Sequence, residues 1–278
     1  MRTLVVDLTH GGDVIARRML ERGDVTIVDC YRKRSVLTSV PEGAEVVASS
    51  PDERFDLIVK PVHCPDAFIG GATADRVLTT HELVGELIDP AGRTVEITGA
   101  RGKTSTSHIL AHMASSVPGR MLLSTSRGIF LRDGGWTTEV ERNTIAPTTL
   151  LTIDDRWGDV DLSVAEVSLG GSGRADVGVV TTIGDDYAIA RGTRRAFDGK
   201  RTVLGGEGIA VFPASERDMW SPVTSREVIT FGESGDVRVR VDGYAYGEGA
   251  SIVAEVRGDT FSTNVPGDFL VPAYAPSI

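Results

Sequence analysis

The stretch "EITGARGKTSTSHI", Glu96–Ile109, decides how the rest of the chain is read. It continues "RTV", so residues 93–98 form an apolar, β-branched run with the character of a buried strand. It leads into "LAHMA", and Ile109, Leu110 and Met113 recur at helical spacing. The order is strand, glycine turn, helix. In that order Gly99 and Gly102 are free to take positive φ and bring backbone N–H groups against an anion. The helix start adds unpaired N–H groups and the positive end of its dipole. The expectation is a phosphate loop in which Gly99, Ala100, Arg101, Gly102, Lys103, Thr104 and Ser105 bind a nucleotide. Lys103 would reach the terminal phosphates, and the Thr104 hydroxyl would bind Mg²⁺. The pattern is the short T-G-x-x-G-K-T form, with Ile97 where the longer G-x-x-x-x-G-K-[ST] form has its first glycine. A plain strand–helix turn with an exposed lysine is the competing reading, and the flanking strand and helix outweigh it.

Upstream, "TLVVDL" is a strand, "GGDVIARRMLERG" a helix ending at Gly23, and "DVTIVDC" the next strand. "AEVVAS" and "FDLIVKPVH" are further strands, and "TADRVLTTHELVGELI" is helical. The alternation predicts an α/β fold with a small Rossmann-like parallel-sheet domain over 1–88. "DPAGR", 89–93, is the linker to a second domain over 94–278. That domain continues with strands "RMLLST", "DLSVAEVS", "VGVVTTIG", "RTVLGGEGIAVFP" and "EVITFG". "VRVRVDGYAYGEGASIVAEVRGDTFSTNVPG" alternates like an antiparallel meander, a β appendage to a phosphate-loop domain.

A length of 278 residues suits two domains, and 41% apolar with 24% charged residues is ordinary globular composition. The balance of 29 Lys+Arg against 39 Asp+Glu, net −10, argues against nucleic acid or an anionic membrane as partner. Cys30 and Cys64 are too few for a disulfide scaffold and suit core positions in a reducing compartment. No apolar stretch is long enough to span a bilayer, and the N-terminus has no signal-peptide pattern, so the expected location is the cytoplasm.

Glu166 ends a buried strand where an acid can reach a Mg²⁺ beside the phosphate loop. "GVVTTIGDDYAIARGTRRAFDGK" delivers Asp185, Asp186 and Tyr187 to a loop, with Lys200 one helix later. Taken together, "TGARGKT", "AEVS" and "VGVVTTIGDDYAIARGTRRAFDGK" resemble the Mur ligase family in order and spacing. The resemblance implies ATP and Mg²⁺ as cofactors and phosphorylation of a carboxylate, followed by displacement of phosphate by a nucleophile. It implies catalytic roles for Lys103, Glu166 and Lys200, the last matching a lysine carbamoylated in many members. It implies metal ligation by Thr104 and Glu166. Where the family has Asp-His, this chain has Asp186-Tyr187; a phenol is a poor Mg²⁺ ligand, so a second ion calls for Asp185 or Asp186. Asp186 is the metal candidate. "ERNTIAPTT" falls where many members carry Asn-Thr-Pro near the substrate carboxylate, which makes Asn143 a substrate candidate and Thr144 a weaker one.

The opening domain, through "VVDLTHGGDVIARRML", "DVTIVDCYRK" and "DLIVKPVHCP", resembles the branch of that family that forms coenzyme F(430). That resemblance implies a nickel-tetrapyrrole substrate whose propionate is activated for intramolecular C–C ring closure. His10, Gly11 and Gly12 lie at the first strand's C-terminal edge, where open α/β sheets bind ligands, and Asp29, Tyr31, Lys60 and His63 lie at equivalent strand ends. His10, Gly11, Gly12, Tyr31 and His63 are the substrate candidates, against local capping or solvated charge as the plainer readings. His108 and His112, four apart on a helix, have metal spacing but no third ligand, and fit a helix face near the nucleotide. Two other readings stay open: an amide ligase joining an amino acid to a carboxylate, and a nucleotide-binding module without full activity. The last follows from the ending "NVPGDFLVPAYAPSI", where the family continues into a C-terminal ligase domain expected to be absent here.

Overall fold

The computed structural model describes residues 1–32, 40–245, 249–256 and 258–265, which fall into two compact units. The first gathers Met1–Asp89, Ala146–Arg156 and Asp186–Gly199; the second gathers Pro90–Ile145, Trp157–Asp185 and the described part of Lys200–Ile278. The ending "DFLVPAYAPSI", whose residues after Pro272 read from sequence as the opening of a helix, lies outside the described residues.

The first unit is built on five parallel strands, β1 (Arg2–Val6), β2 (Asp24–Val28), β3 (Glu45–Val47), β4 (Arg54–Lys60) and β5 (Thr73–Thr79), in the order β3-β2-β1-β4-β5. β1 is central, and its buried run Thr3–Val6 is the continuous apolar pattern of a strand covered on both faces. Leu4, Val6, Val28, Phe55, Ile58 and Cys64 pack into one cluster. Helix α1 (Gly12–Leu20) follows β1 directly and buries Ile15, Ala16 and Met19, one face of the turn. Glycine is required at its start: a Cβ on Gly12 would lie 1.9 Å from the Asp7 carbonyl oxygen, and one on Gly11, whose φ is 87, would lie 2.1 Å from Thr148 Oγ1.

One element departs from the expected reading. Residues 73–79, read with the helix after them, form strand β5, and helix α2 (Thr80–Leu87) starts only at Thr80. The boundary is a capping box: the Glu82 backbone N–H donates to Thr79 Oγ1, and the Glu82 carboxylate accepts from the Thr79 N–H. "TADRVLT" then pairs in parallel with β4 from Thr73 to Thr79, so sheet edge and cap together override its helical spacing.

The second unit is built on an eleven-stranded mixed sheet. Its first part is β6 (Arg93–Thr98), helix α3 (Lys103–Ala114) and β7 (Met121–Thr125), then the hairpin strands β8 (Gly128–Asp133) and β9 (Gly135–Glu141). The chain next forms α4 (Thr149–Trp157), mostly within the first unit. It continues through β10 (Leu162–Glu166) and β11 (Val177–Val180). The ladder of β12 (Ala188–Ile189) and β13 (Arg194–Arg195) and helix α5 (Ala196–Lys200) come next. β14 (Ile209–Pro213), α6 (Arg217–Trp220), β15 (Glu227–Phe231) and the meander β16 (Val237–Ala245), β17 (Gly249–Val256), β18 (Asp259–Val265) complete the order. β15, β14, β11, β6, β10 and β7 run parallel, with β8 and β9 antiparallel beyond β7 and β17 and β18 antiparallel beyond β16. The fold class is α/β as expected, antiparallel appendage included. The β8–β9 hairpin is additional, and its signal was the turn "DGG" between "GIFLR" and "WTTEVE". Among the described residues no helix is long and apolar enough to cross a membrane.

β6 is central, and Val95 and Ile97 lock it to Ala111, Met121, Leu123, Val164 and Val179. On it sits the fully buried Glu96. The Ser172 backbone N–H (2.8 Å) and hydroxyl both donate to its carboxylate. Burial raises its pKa above the ordinary 4.5, only partly offset by the Ser172 bonds and the charge of Arg226. A raised folded-state pKa gives stability that is fully present below the unfolded value and is lost as pH rises through the folded one. Chemical denaturation from pH 4 to 8 is therefore expected to show wild type losing stability relative to Glu96→Gln as pH rises; a constant difference would contradict it.

Candidate functional site

The register of the second unit assembles the site. Glu166 of β10 lies beside Ile97 of β6, and Val180 of β11 lies beside Thr98. The turn after Thr98 is thus bracketed by the C-terminal ends of two neighbouring strands, the place where parallel sheets hold ligands. Gly99 has φ 147, and a Cβ there would lie 2.0 Å from Thr181 Oγ1. Gly102, with φ 83, precedes α3 as a cap with no side-chain hydrogen bond, so the first N–H groups of the helix have no side-chain cap. The Ala100 N–H donates to the Thr182 carbonyl (2.6 Å), and the Thr181 hydroxyl donates to the Arg101 (2.5 Å) and Thr98 (3.2 Å) carbonyls. Arg101, Gly102 and Ser105 are exposed along this arc.

Two lysines converge on one acceptor. Lys103 Nζ donates to the Gly99 carbonyl at 3.1 Å, and Lys200 Nζ donates to the same oxygen at 3.0 Å and to the Ser168 carbonyl at 2.8 Å. Lys200 is buried, 1% exposed, which requires such acceptors for its charge. The Thr104 hydroxyl reaches both oxygens of buried Glu166, at 3.0 and 2.9 Å, and the Ser126 N–H donates to the same carboxylate at 3.1 Å. A hydroxyl and a carboxylate already in contact at the uncapped start of α3 are hard oxygen donors of the kind Mg²⁺ takes, and the glycine cradle with its ammonium groups suits phosphate. Asn143 Nδ2 donates to Ser124 Oγ at 2.9 Å. His108 packs edge-on to Phe130, and its Nε2 lies 3.4 Å from Thr125 Oγ1. Burial first, and then Arg127, lower its pKa, which favours a neutral imidazole on the helix face.

Glu216 was not anticipated from sequence. Its carboxylate accepts from the Thr182 hydroxyl (2.6 Å), the Ile183 N–H (3.1 Å) and Trp220 Nε1 (2.7 Å), pinning the strand end that leads to "GDDY". Only the "ASERDMW" helix start hinted at an acid there. Asp186 falls in the first unit, where Arg195 Nε (3.0 Å) and the Phe197 N–H (2.9 Å) engage both carboxylate oxygens. Tyr187 is 44% exposed, and burial of its ring followed by the Asp186 charge raises its pKa above 10. Its phenol stays protonated at neutral pH and offers no anionic ligand.

In the first unit, the five substrate candidates read from sequence do come together. His10 and His63 meet with ring centroids 4.5 Å apart, and His10 and Tyr31 with centroids 5.5 Å apart. Gly11 lies between His10 and α1, and Gly12 opens that helix. The organising group is one that sequence reasoning passed over: Asp7, at the end of β1, holds a left-handed backbone (φ 94) and a fully buried carboxylate. That carboxylate accepts from the Thr9 N–H at 2.7 Å and pairs with His10 Nδ1. Burial lowers the pKa of His63, with His10 next in effect. Lys60, by contrast, is internal: it donates to the Cys64 carbonyl and pairs with Asp66, both at 2.7 Å. Both cysteines are free and Cys64 is buried, as core residues would be.

A glycine cradle on the central strand of a mixed sheet, preceded in the chain by a parallel-sheet unit, defines the class: the chain has the fold of the Mur ligases and resembles them in sequence, at 26% identity over 197 residues to "UDP-N-acetylmuramoylalanine--D-glutamate ligase" of Solibacter usitatus, 67% of this chain and 40% of that protein. A MurF ligase from Thermotoga maritima in complex with ADP superposes with TM-score 0.56 at 17% identity, over 99% of this chain and 58% of that one. Within the class the sequence is similar to "Coenzyme F(430) synthetase" of Methanosarcina acetivorans, 34% identical over 216 residues, 70% of this chain and 46% of that protein. The protein of the same name from Methanocaldococcus jannaschii is 23% identical over 72% of this chain and 49% of its own length. The chain spans about half the length of these curated relatives. No family model matches it.

The close approach at Gly99 generates a prediction. Gly99→Ala adds a methyl where Thr181 Oγ1 already sits, in a backbone region that strains other residues by roughly 1–3 kcal/mol. Urea denaturation is expected to show a loss of at least that order; an unchanged midpoint would mean the cradle is loose.

Proposed function

We propose that this chain carries the nucleotide-handling and substrate-recognising parts of an ATP-dependent ligase that activates a propionate of the nickel tetrapyrrole seco-F(430) for ring closure to coenzyme F(430). The nucleotide half is supported above all by the contact of Thr104 with Glu166 at the uncapped start of α3. The substrate half is supported by the similarity to the Methanosarcina protein, a resemblance that the opening domain "VVDLTHGGDVIARRML" carries in this sequence.

A carboxylate is a poor electrophile because its charge is delocalised and its oxygen is a poor leaving group. Transfer of the γ-phosphoryl group to a carboxylate oxygen gives ADP and an acyl phosphate. A carbon nucleophile within the same substrate then loses its proton and attacks the acyl carbon; inorganic phosphate leaves as the C–C bond forms. The chain's part is alignment and charge neutralisation. Residues Gly99–Ser105 and the start of α3 bind the phosphates, and Lys103 exchanges the Gly99 carbonyl for a phosphate oxygen. Thr104 and Glu166 hold Mg²⁺, which, when bound, neutralises the transferring group. Buried Lys200 keeps the loop carbonyls in place or, carbamoylated, supplies a second carboxylate. Asn143 meets the substrate carboxylate, and Asp186 serves a metal once released from Arg195. His10, Gly11, Gly12, Tyr31 and His63 form the face that meets the tetrapyrrole.

Lys103→Ala removes one charge-assisted bond, on the order of 1.5–3 kcal/mol, so MgATP affinity by calorimetry is expected to fall about 10- to 100-fold. Unchanged affinity would end the nucleotide reading. Titration of the chain with seco-F(430), followed by tetrapyrrole absorbance, is expected to show saturable binding. Absence of binding, together with amino-acid-dependent ADP release, would instead make it an amide ligase.

A further inference from the structure

The crevice between β1 and β4 has the makings of a metal site. In the order β3-β2-β1-β4-β5 the chain leaves β1 toward β2 on one side and returns to β4 on the other. This reversal opens a crevice at the strands' C-terminal ends. Asp7 and His10 follow β1, and His63 follows β4. Three residues thus reach one point from both lips of the crevice, and one ligand atom from each lies within 4.8 Å of the others. Among the described residues this is the one such group of three.

Two details argue against a plain packing cluster. His63 Nε2 is buried and has no hydrogen-bond partner among the described residues, a lone pair or proton left unmatched where most buried polar atoms are matched. Asp7 keeps its left-handed backbone with its carboxylate wholly inside, in contact with the Thr9 N–H and, among the described residues, with His10 as its one ion-pair partner. The nearby Lys60 charge is already matched by Asp66.

We propose that Asp7, His10 and His63 bind a divalent transition-metal ion of the zinc, cobalt or nickel type. Two imidazoles and one carboxylate form a nitrogen-rich set that suits these ions and disfavours Mg²⁺. Three protein ligands leave at least one coordination position for an exogenous donor, the pattern of a working rather than a structural site. A metal whose positions are mostly filled by a macrocycle would take one of these side chains, whereas a free ion would take all three. The site does not depend on the nucleotide reading, since every group in it belongs to the first unit.

Co²⁺ is the probe, titrated into the full chain without nucleotide and followed by its visible d–d absorption, with Zn²⁺ and Mg²⁺ as competitors. The expected result is one equivalent bound, displaced by Zn²⁺ and not by excess Mg²⁺. His10→Ala and His63→Ala are each expected to weaken binding more than about 100-fold, beyond the 10- to 100-fold typical of losing a residue that only orients a ligand. His10 is exposed, so its variant folds even if the His63 variant does not. No d–d band on the folded chain, or undiminished binding by His10→Ala, overturns the proposal. So does an intense near-ultraviolet sulfur-to-cobalt band, which would move the ion to Cys30 and Cys64.

Discussion

The parallel pairing of β6 with β10 on one side and β11 on the other is the constraint from which the second unit's chemistry follows. A parallel sheet brings all its strand ends to one edge, so a glycine turn after the central strand meets the residues that end its neighbours. Here those are Glu166 and the Thr181–Thr182 segment. The hydrogen bonds that shape the loop come almost wholly from outside it: Thr181 and Thr182 from β11's end, Ser168 and Lys200 around the Gly99 carbonyl. Gly99 and Gly102 permit the conformation; the neighbouring strands impose it.

The two units use one backbone device with opposite chemistry. In each, a buried strand runs into a turn with a left-handed glycine, and a helix follows, α1 after Gly11 and α3 after Gly102. A helix start by itself favours anions. The second unit reinforces that preference with two ammonium groups and a hydroxyl. The first reverses it by burying the Asp7 carboxylate ahead of α1 and setting two imidazoles against it. One turn is thereby suited to phosphate and the other to a cation.

Buried and half-buried charges in the second unit position loops. Glu96 ties the 168–174 segment through Ser172, Glu216 ties the end of β11, and Lys200 ties Gly99 to Ser168. Each lies far in sequence from what it holds, and the two acids are nearly invisible to pattern reading: Glu96 interrupts an apolar strand, and Glu216 looks like one more surface acid. The hairpin β8–β9 and the extended β5 were missed for a related reason, because edge pairing and a capping box outweighed local spacing.

The sequence by itself determined the local elements and their order. β-branched runs with glycine after them specify strand, turn and helix, since φ freedom and side-chain periodicity are properties of a few adjacent residues. It also singled out Lys103 and Thr104 by spacing, Glu166, His10, Tyr31 and His63 by their place at strand ends, and Lys200 through the resemblance to a family. Only the tertiary structure decided who meets whom: Asp7 with His10 and His63, Thr104 with Glu166, Asp186 with Arg195, and segments 146–156 and 186–199 with the first unit. Such pairings depend on sheet order and register, which are set by packing of the whole core and leave no mark at any single position.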